Sequence, residues 1–433
     1  MDKARAAALE ILERCRRNNS WSSATIDAVI TKYALDGRSA ALASNLSLGV
    51  MQNCTLCDFY IDSFSSSKIE PKVRDILRCG FYQILFMDRI PDNAAVNEAV
   101  EQAKSLGFSR ASGFVNAVLR KIAGSREHLP EIRGKGTAEY LSVRYSHPEW
   151  IADAVISEHG YDFAEAFLNA NNIAPKTAIQ VNTLKISSAK FEKMLEASGV
   201  EFSRHEWLKD CYYVSGNITS LTGFKEGLFY VQDAAARCAV TAGGLKQGMN
   251  VLDACSAPGG KSFAAAIDMQ NCGSIVSCDL HEKKLSLIKS GAARLGIDII
   301  RTEAADGRVL RNDEFDAIIA DVPCSGLGVI RKKPDIRFKN SAETEELPKI
   351  QLAIINNLAK CLKIGGTMIY STCTVLNREN GEVVSAFLNE NGNFEAVDFT
   401  LPSGKKSENG MYTFWPNVDG TDGFFVCKLR RIK

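Results

Sequence analysis

The chain has 433 residues, 45% hydrophobic and 24% charged, with 52 basic against 51 acidic side chains. That length suits two or three domains with cores of their own, and the composition is that of a globular protein rather than a disordered or fibrous one. A formal net charge of +1 excludes a globally basic nucleic-acid binder, so any surface for a polyanion must be local.

Thirteen cysteines, an odd number scattered through a large chain, read as reduced thiols in a cytoplasmic protein. Cys54 and Cys57 form a lone CxxC; with five histidines in the chain, two helix-face thiols are expected there and no metal. The start, MDKARAAALEILERCRR, is amphipathic, contains acids and has no apolar signal core. No run approaches the ~20 apolar residues of a spanning helix. A soluble monomer without membrane contact is expected.

In chain order, residues 1–130 carry helical periodicity, as at Ala8, Leu9, Ile11 and Leu12, and at Val96, Ala99, Val100 and Ala103. This predicts an all-α domain of five or more helices. The stretch GSREHLPEIRGKG (124–136) reads as a linker. Residues 137–232 mix helices (PEWIADAVISEHG, SAKFEKMLEASG) with short strands (TAIQVNT, CYYVSG, GLFYVQD), which predicts a small α+β domain. Over 233–433 apolar strands alternate with amphipathic helices: NVLDAC, SIVSCDL, IIRTEAAD, FDAIIADVPC and GGTMIYSTC are the strands. That pattern predicts an α/β, doubly wound parallel sheet, in which ligands bind beyond the carboxyl ends of the strands.

The first of those strands ends in DACSAPGGKS (253–262). Its Gly-Lys-Ser tail is not a P-loop, because Cys255 stands where the first glycine belongs, and no GxGxxG is present. Asp279 follows at the second strand tip, Asp306 near the third and Asp321 near the fourth. A series of acidic tips suits a ligand with ribose hydroxyls and amino groups and no phosphate, namely S-adenosylmethionine. Each aspartate alone would read as a cap or turn residue; the regular series favours the joint reading.

Two strand-like runs also end in thiols, Cys324 and Cys373. A thiolate beside a methyl donor suits methylation at carbon 5 of a pyrimidine, where addition at carbon 6 makes carbon 5 nucleophilic. Asp321, three residues before Cys324, is placed to hold the polar edge of cytosine. Spacing alone does not choose which thiol attacks.

DACSAPGGKS, DVPCSGLGVIRKKPDI and YSTCT together resemble the RNA cytosine-5 methyltransferases of the NOL1/NOP2/Sun family. The helical N-terminus, with VNEAVEQAKSLGF and GFVNAVLRKI, resembles the NusB-type RNA-binding domain. The resemblance spans essentially the whole chain, through SHPEWI, VQDAAA and TDGFF, and is nearest to the family's bacterial small-subunit rRNA enzymes. It implies a NusB-like domain, a small α+β domain and a Rossmann-like methyltransferase domain acting on 16S rRNA. It implies Cys373 as nucleophile and Cys324 as the thiol that assists product release. It places the donor on Cys255, Ser256, Ala257, Pro258, Gly259, Gly260 and Lys261, with Asp279, Asp306 and Asp321. Ile179–Asn182 reads Ile-Gln-Val-Asn where relatives commonly carry Leu-Arg-Val-Asn, a departure that bears on one RNA-backbone contact. The run RKKPDIRFK offers Arg331, Lys332, Lys333 and Arg337 as RNA-facing cations, with binding expected to weaken in salt. The target cytosine must leave its stack to meet a thiol.

The rivals are methylation of another RNA, a DNA cytosine-5 methyltransferase and a non-catalytic RNA-binding assembly factor. The Thr-Cys thiol and the NusB-like domain argue against DNA. Retention of both thiols and of Asp279, Asp306 and Asp321 argues against a non-catalytic role.

Overall fold

The structure, a computed structural model, describes residues 2–18, 23–309 and 314–433. The chain divides into two compact units, Met1–Ile173 with Ile330–Lys339, and Ala174–Val329 with Asn340–Lys433.

The first unit is helical. Helix Pro71–Phe86 shows how the sequence builds it: Glu70 caps the start by accepting from the backbone N–H groups of Lys72 and Val73, and Pro71 occupies the first turn. Val73, Ile76, Leu77, Phe81 and Ile84 then recur at helical spacing and are buried, each worth about 1.5–3 kcal/mol. Gly80 faces helix Ser112–Gly124 so closely that a Cβ would lie 2.5 Å from Leu119 Cδ1. The apolar core draws on residues 4 to 122. Helices Ala138–Tyr145, Glu149–His159 and Tyr161–Ala170 also belong to this unit, and the Leu56 N–H donates to Ser146 Oγ at 2.9 Å. The Gly- and charge-rich stretch 124–136 thus separates two runs of helix within one compact unit.

Arg337 corrects an expectation. The sequence groups it with Arg331, Lys332 and Lys333 as a solvent-facing basic track, yet it is only 4% exposed. Its Nη1 donates to the carbonyls of Gln52, Tyr145 and Ser146 at 2.9–3.0 Å. Its Nη2 donates to the Asn171 carbonyl at 3.2 Å and to Asn172 Oδ1 at 2.7 Å. Gln52, Tyr145 and Asn171 lie at the C-terminal ends of helices Gly37–Gln52, Ala138–Tyr145 and Tyr161–Ala170. Three negative helix ends therefore converge on one cation. Burial lowers the Arg337 pKa to about 9, which still leaves the guanidinium charged at neutral pH. Lys332 and Lys333 are exposed and Arg331 is half-buried.

The second unit holds two sheets. Strands β1 (Thr177–Val181), β2 (Phe202–Arg204), β3 (Cys211–Val214) and β4 (Phe229–Val231) form an antiparallel sheet in the order β2-β3-β1-β4. In β1, Gln180 is buried and donates to the Gln232 carbonyl at 3.1 Å. The larger sheet contains β5 (Asn250–Asp253), β6 (Ser274–Asp279), β7 (Ile300–Ala304), β8 (Phe315–Asp321), β9 (Leu362–Thr372), β10 (Phe394–Ala396), β11 (Met411–Phe414) and β12 (Phe424–Arg431). Its order is β10-β12-β9-β8-β5-β6-β7, with β11 also paired to β12. Strands β5 to β9 are parallel, and the apolar runs of β5, β6, β8 and β9 are buried, as a sheet covered by helices on each side requires, while edge strand β7 has no buried residue. The chain winds outward from β5 to β7 and returns to β8 on the other side of β5, so the topological switch point lies between β5 and β8. Strand β12 runs antiparallel to β9, a reversal that strand-helix alternation does not encode.

Candidate active site

The turn after β5 is built from small residues because its backbone must sit close to β6 and to the following helix. The Ser256 N–H and Oγ–H both donate to the Cys278 carbonyl, at 2.7 and 2.9 Å, which staples the turn to β6. Gly259 has φ +111°, and a Cβ there would lie 2.6 Å from the Phe263 ring, so no other residue fits without strain. Beneath the turn Asp253 is fully buried and accepts from Ser262 Oγ at 2.6 Å. Burial, against the opposing Ser262 hydrogen bond, pushes its carboxyl up to about 7.

Beyond the strand tips lies a cavity of about 450 Å³ whose wall includes Cys255, Ala257, Asp279, Asp306, Asp321, Cys324 and Cys373. Seven residues singled out from separate parts of the sequence thus share one wall. Ser256, Pro258, Gly259, Gly260 and Lys261 are not on it; the first four form the turn behind it. Asp279 accepts from the N–H groups of Ala257 at 3.3 Å and His281 at 2.9 Å. Arg308 donates to Asp306 through its backbone N–H and its guanidinium, and holds that carboxyl below its ordinary range. Exposed Leu280 and partly buried Ile350 add apolar surface.

These residues fit S-adenosylmethionine. Carboxylates along the wall repel a pyrophosphate but suit hydroxyl and amino donors, and the volume is that of a site for one small molecule. Arg308 and the neighbouring lining residues His281 and Lys284 carry no motif signal of their own in the sequence.

The register of β8 against β9 sets Asp321 opposite Ser371. Ser371 Oγ donates to Asp321 Oδ1 at 2.9 Å, and Lys261 Nζ donates to Oδ2 at 2.6 Å. Both carboxylate oxygens therefore act as acceptors. Lys261, assigned from sequence to the donor, is instead the partner of Asp321. Burial works against its charge, but Asp321, Asp253 and Cys373 together outweigh that effect, and the ammonium pKa is raised. A cation next to a thiol favours the thiolate.

Just past these tips, Cys324 Sγ and Cys373 Sγ are 3.2 Å apart and half-buried. The hydrogen bond to Cys373, then burial, then nearby charge push the Cys324 thiol well above its ordinary pKa. At that separation either sulfur can donate to the other. Sequence reasoning missed the residues that hold the two thiol-bearing loops, Gln351, Glu379 and Asn380, because none of them carries a motif signal.

Comparison with known proteins covers nearly the whole chain. Family models match for the NusB family at residues 2–124, for the ferredoxin-like domain of RsmF/B-like methyltransferases at 147–219, and for 16S rRNA methyltransferase RsmB/F at 241–430. The probable ribosomal RNA small subunit methyltransferase B of Bacillus subtilis (strain 168) is 36% identical over 441 residues, covering 99% of this chain and 98% of its own. That of Synechocystis sp. (strain ATCC 27184 / PCC 6803 / Kazusa) is 30% identical, with both chains covered in full. Among solved structures, the crystal structure of PH0851 superposes with a TM-score of 0.83 at 25% identity, covering 100% of this chain and 99% of that one.

Proposed function

Because the chain belongs to the ribosomal RNA small subunit methyltransferase B family and is an S-adenosylmethionine-dependent methyltransferase, we propose that it methylates carbon 5 of a cytosine in 16S rRNA through a covalent Cys373 adduct. The observation that carries this reading is the pair of thiols 3.2 Å apart on the wall of the cavity that Asp279 and Asp306 also line. We read the chain as a NusB-like RNA-binding domain over 1–130, an α+β domain over 137–232 and the catalytic domain over 233–433. The donor is held by the turn at 255–260 and by Asp279, Asp306 and Asp321, and RNA by a local track at Arg331, Lys332 and Lys333.

Asp321, held by Lys261 and oriented by Ser371, accepts from the exocyclic amino group of a flipped cytosine and fixes the ring. Lys261 favours the thiolate of Cys373, which adds to carbon 6 and leaves an electron pair shared between ring nitrogen N3 and carbon 5. The donor, when bound, supplies an electrophilic methyl group to that carbon. Loss of the carbon 5 proton then returns an electron pair to the ring, the Cys373–carbon 6 bond breaks, and aromaticity is restored. The Cys324 thiol donates toward the departing Cys373 sulfur and assists its release.

The test is a covalent trap. With 5-fluorocytidine in the rRNA the carbon 5 proton is absent, so enzyme and donor should yield a denaturation-stable adduct that Cys373→Ser abolishes. Adduct from Cys373→Ser but not from Cys324→Ser reverses the assignment. Mapping 5-methylcytosine in 16S rRNA with and without the protein identifies the base.

A further inference from the structure

Two cysteines on loops after different strands meet at 3.2 Å, and something must hold each loop. Cys324 is gripped on both sides. The Pro323 carbonyl accepts from Gln351 Nε2 at 3.0 Å, and the Ser325 N–H donates to Glu379 Oε2 at 2.9 Å. Gln351 Nε2 also donates to Glu379 Oε2 at 2.9 Å, which joins the two grips. Cys373 is gripped likewise. Thr372 Oγ1 donates to Asn380 Oδ1 at 2.6 Å, and Asn380 Nδ2 donates to the Thr374 carbonyl at 3.1 Å. Ser325 Oγ and Thr374 Oγ1 lie 2.7 Å apart and tie the loops to each other. Glu379 and Asn380 are adjacent, so one peptide unit carries the hold on both thiols.

Packing alone does not account for this arrangement. Glu379 is fully buried, and its Oε1 has no hydrogen-bond partner among the described residues. A buried carboxyl group with an unpaired oxygen costs stability, and an apolar residue of similar shape would fill the space without that cost.

We propose that Glu379 and Asn380 are paired positioning residues for the two thiols, Glu379 setting Cys324 for release and Asn380 setting Cys373 for attack. The inference rests on the cytosine-5 reading above for what the thiols do, but the geometric part stands without it. Misplacement of a reacting atom by about 1 Å costs on the order of 100-fold in rate, so loosening either grip should be visible.

The experiment uses full-length protein, small-subunit rRNA and donor. Glu379→Gln should slow turnover by about 10- to 100-fold and accumulate adduct on unmodified RNA, because release fails. Asn380→Ala should slow adduct formation on 5-fluorocytidine RNA by a similar factor and accumulate none on unmodified RNA, because attack fails. Gln351→Met, which removes the hold on Pro323 without removing a charge, should behave as Glu379→Gln and serves if that variant does not fold. Donor affinity should stay unchanged in all three. Opposite adduct behaviour from neighbouring residues is not produced by general destabilisation. Parallel loss of adduct formation and donor binding, or wild-type behaviour in all the variants, overturns the proposal.

A second readout needs no RNA. Diamide takes one hydrogen from each thiol, its N=N bond becoming a hydrazide, and leaves a Cys324–Cys373 disulfide that peptide mass spectrometry can time. Closure should slow by about 10-fold or more in Glu379→Gln and Asn380→Ala; an unchanged rate in both overturns the proposal. Slowed closure with no RNA adduct from wild type would leave the positioning role intact and overturn the cytosine-5 reading instead.

Discussion

Replacing Arg337 by methionine keeps most of the side-chain volume and removes the cation at the meeting point of three helix ends. The two terminal guanidinium nitrogens carry two protons each and serve five acceptors, Gln52 O, Tyr145 O, Ser146 O, Asn171 O and Asn172 Oδ1. At most four of these bonds can form at full strength, at about 1.5–3 kcal/mol each for a charged donor. Burying the guanidinium costs several kcal/mol, which leaves an expected net loss of about 3–5 kcal/mol in Arg337→Met. Hydrogen exchange read by mass spectrometry should show the loss in helices Gly37–Gln52, Ala138–Tyr145 and Tyr161–Ala170. The salt dependence of RNA affinity should stay as in wild type. Lys333→Ala should do the reverse, leaving exchange unchanged and lowering the slope of log affinity against log salt by about 0.7–0.9. Unchanged protection in Arg337→Met together with a reduced salt slope would mean that Arg337 contacts phosphate, and the structural reasoning would fail.

The buried Asp253 carboxyl titrates near pH 7 in the folded protein and near pH ~4 in an unfolded chain. The folded state therefore binds the extra proton between those values, and the stability this group contributes at low pH is lost as pH rises through about 7. The full difference is on the order of 4 kcal/mol. Asp253→Asn, which cannot ionise, should gain on wild type in denaturant stability as pH rises from about 4 to about 7 and level off above that; a difference that stays flat across that window refutes this. Gly259→Ala forces a Cβ against Phe263 at a φ of +111°, a strain of about 1–3 kcal/mol. Calorimetry should show donor affinity weakened by about 10-fold or more while melting shifts by only a few degrees. Lys261→Met should move the pH midpoint of Cys373 alkylation upward and lower kcat by about 100-fold; an alkylation profile superposable on wild type would separate Lys261 from the nucleophile.

The catalytic half of this chain was legible because a doubly wound sheet delivers every parallel strand to the same edge. Once NVLDAC, SIVSCDL, FDAIIADVPC and GGTMIYSTC are strands, Asp279, Asp321, Cys324 and Cys373 must be neighbours, whatever their separation in sequence. Lys261 was visible as a residue but not in its role, since its partner Asp321 lies 60 positions away and the pairing depends on the pitch of the intervening helix. Arg337 was misread for a related reason. In a row of cations it looks like its neighbours, and the carbonyls that receive it stand 285, 192 and 166 positions upstream. Glu379 and Asn380 were invisible because polar residues before a helix are the ordinary signature of a cap, and nothing local distinguishes a cap from a bracket. The direction of β12 was equally hidden, since a strand's apolar pattern is the same read either way.

The assignment of Ile330–Lys339 to the helical unit has a consequence for the order of events during synthesis. The buried apolar residues of that unit are encoded by residue 170, but the cation that neutralises its three helix ends is encoded only at residue 337. At roughly 5–20 residues per second, the ribosome needs on the order of ten seconds or more to supply it. The nascent helical unit should therefore wait in an unfinished state while the strands up to β8 emerge. A chain stalled after residue 173 should expose the ends of those helices to proteolysis, and release past residue 339 should close them.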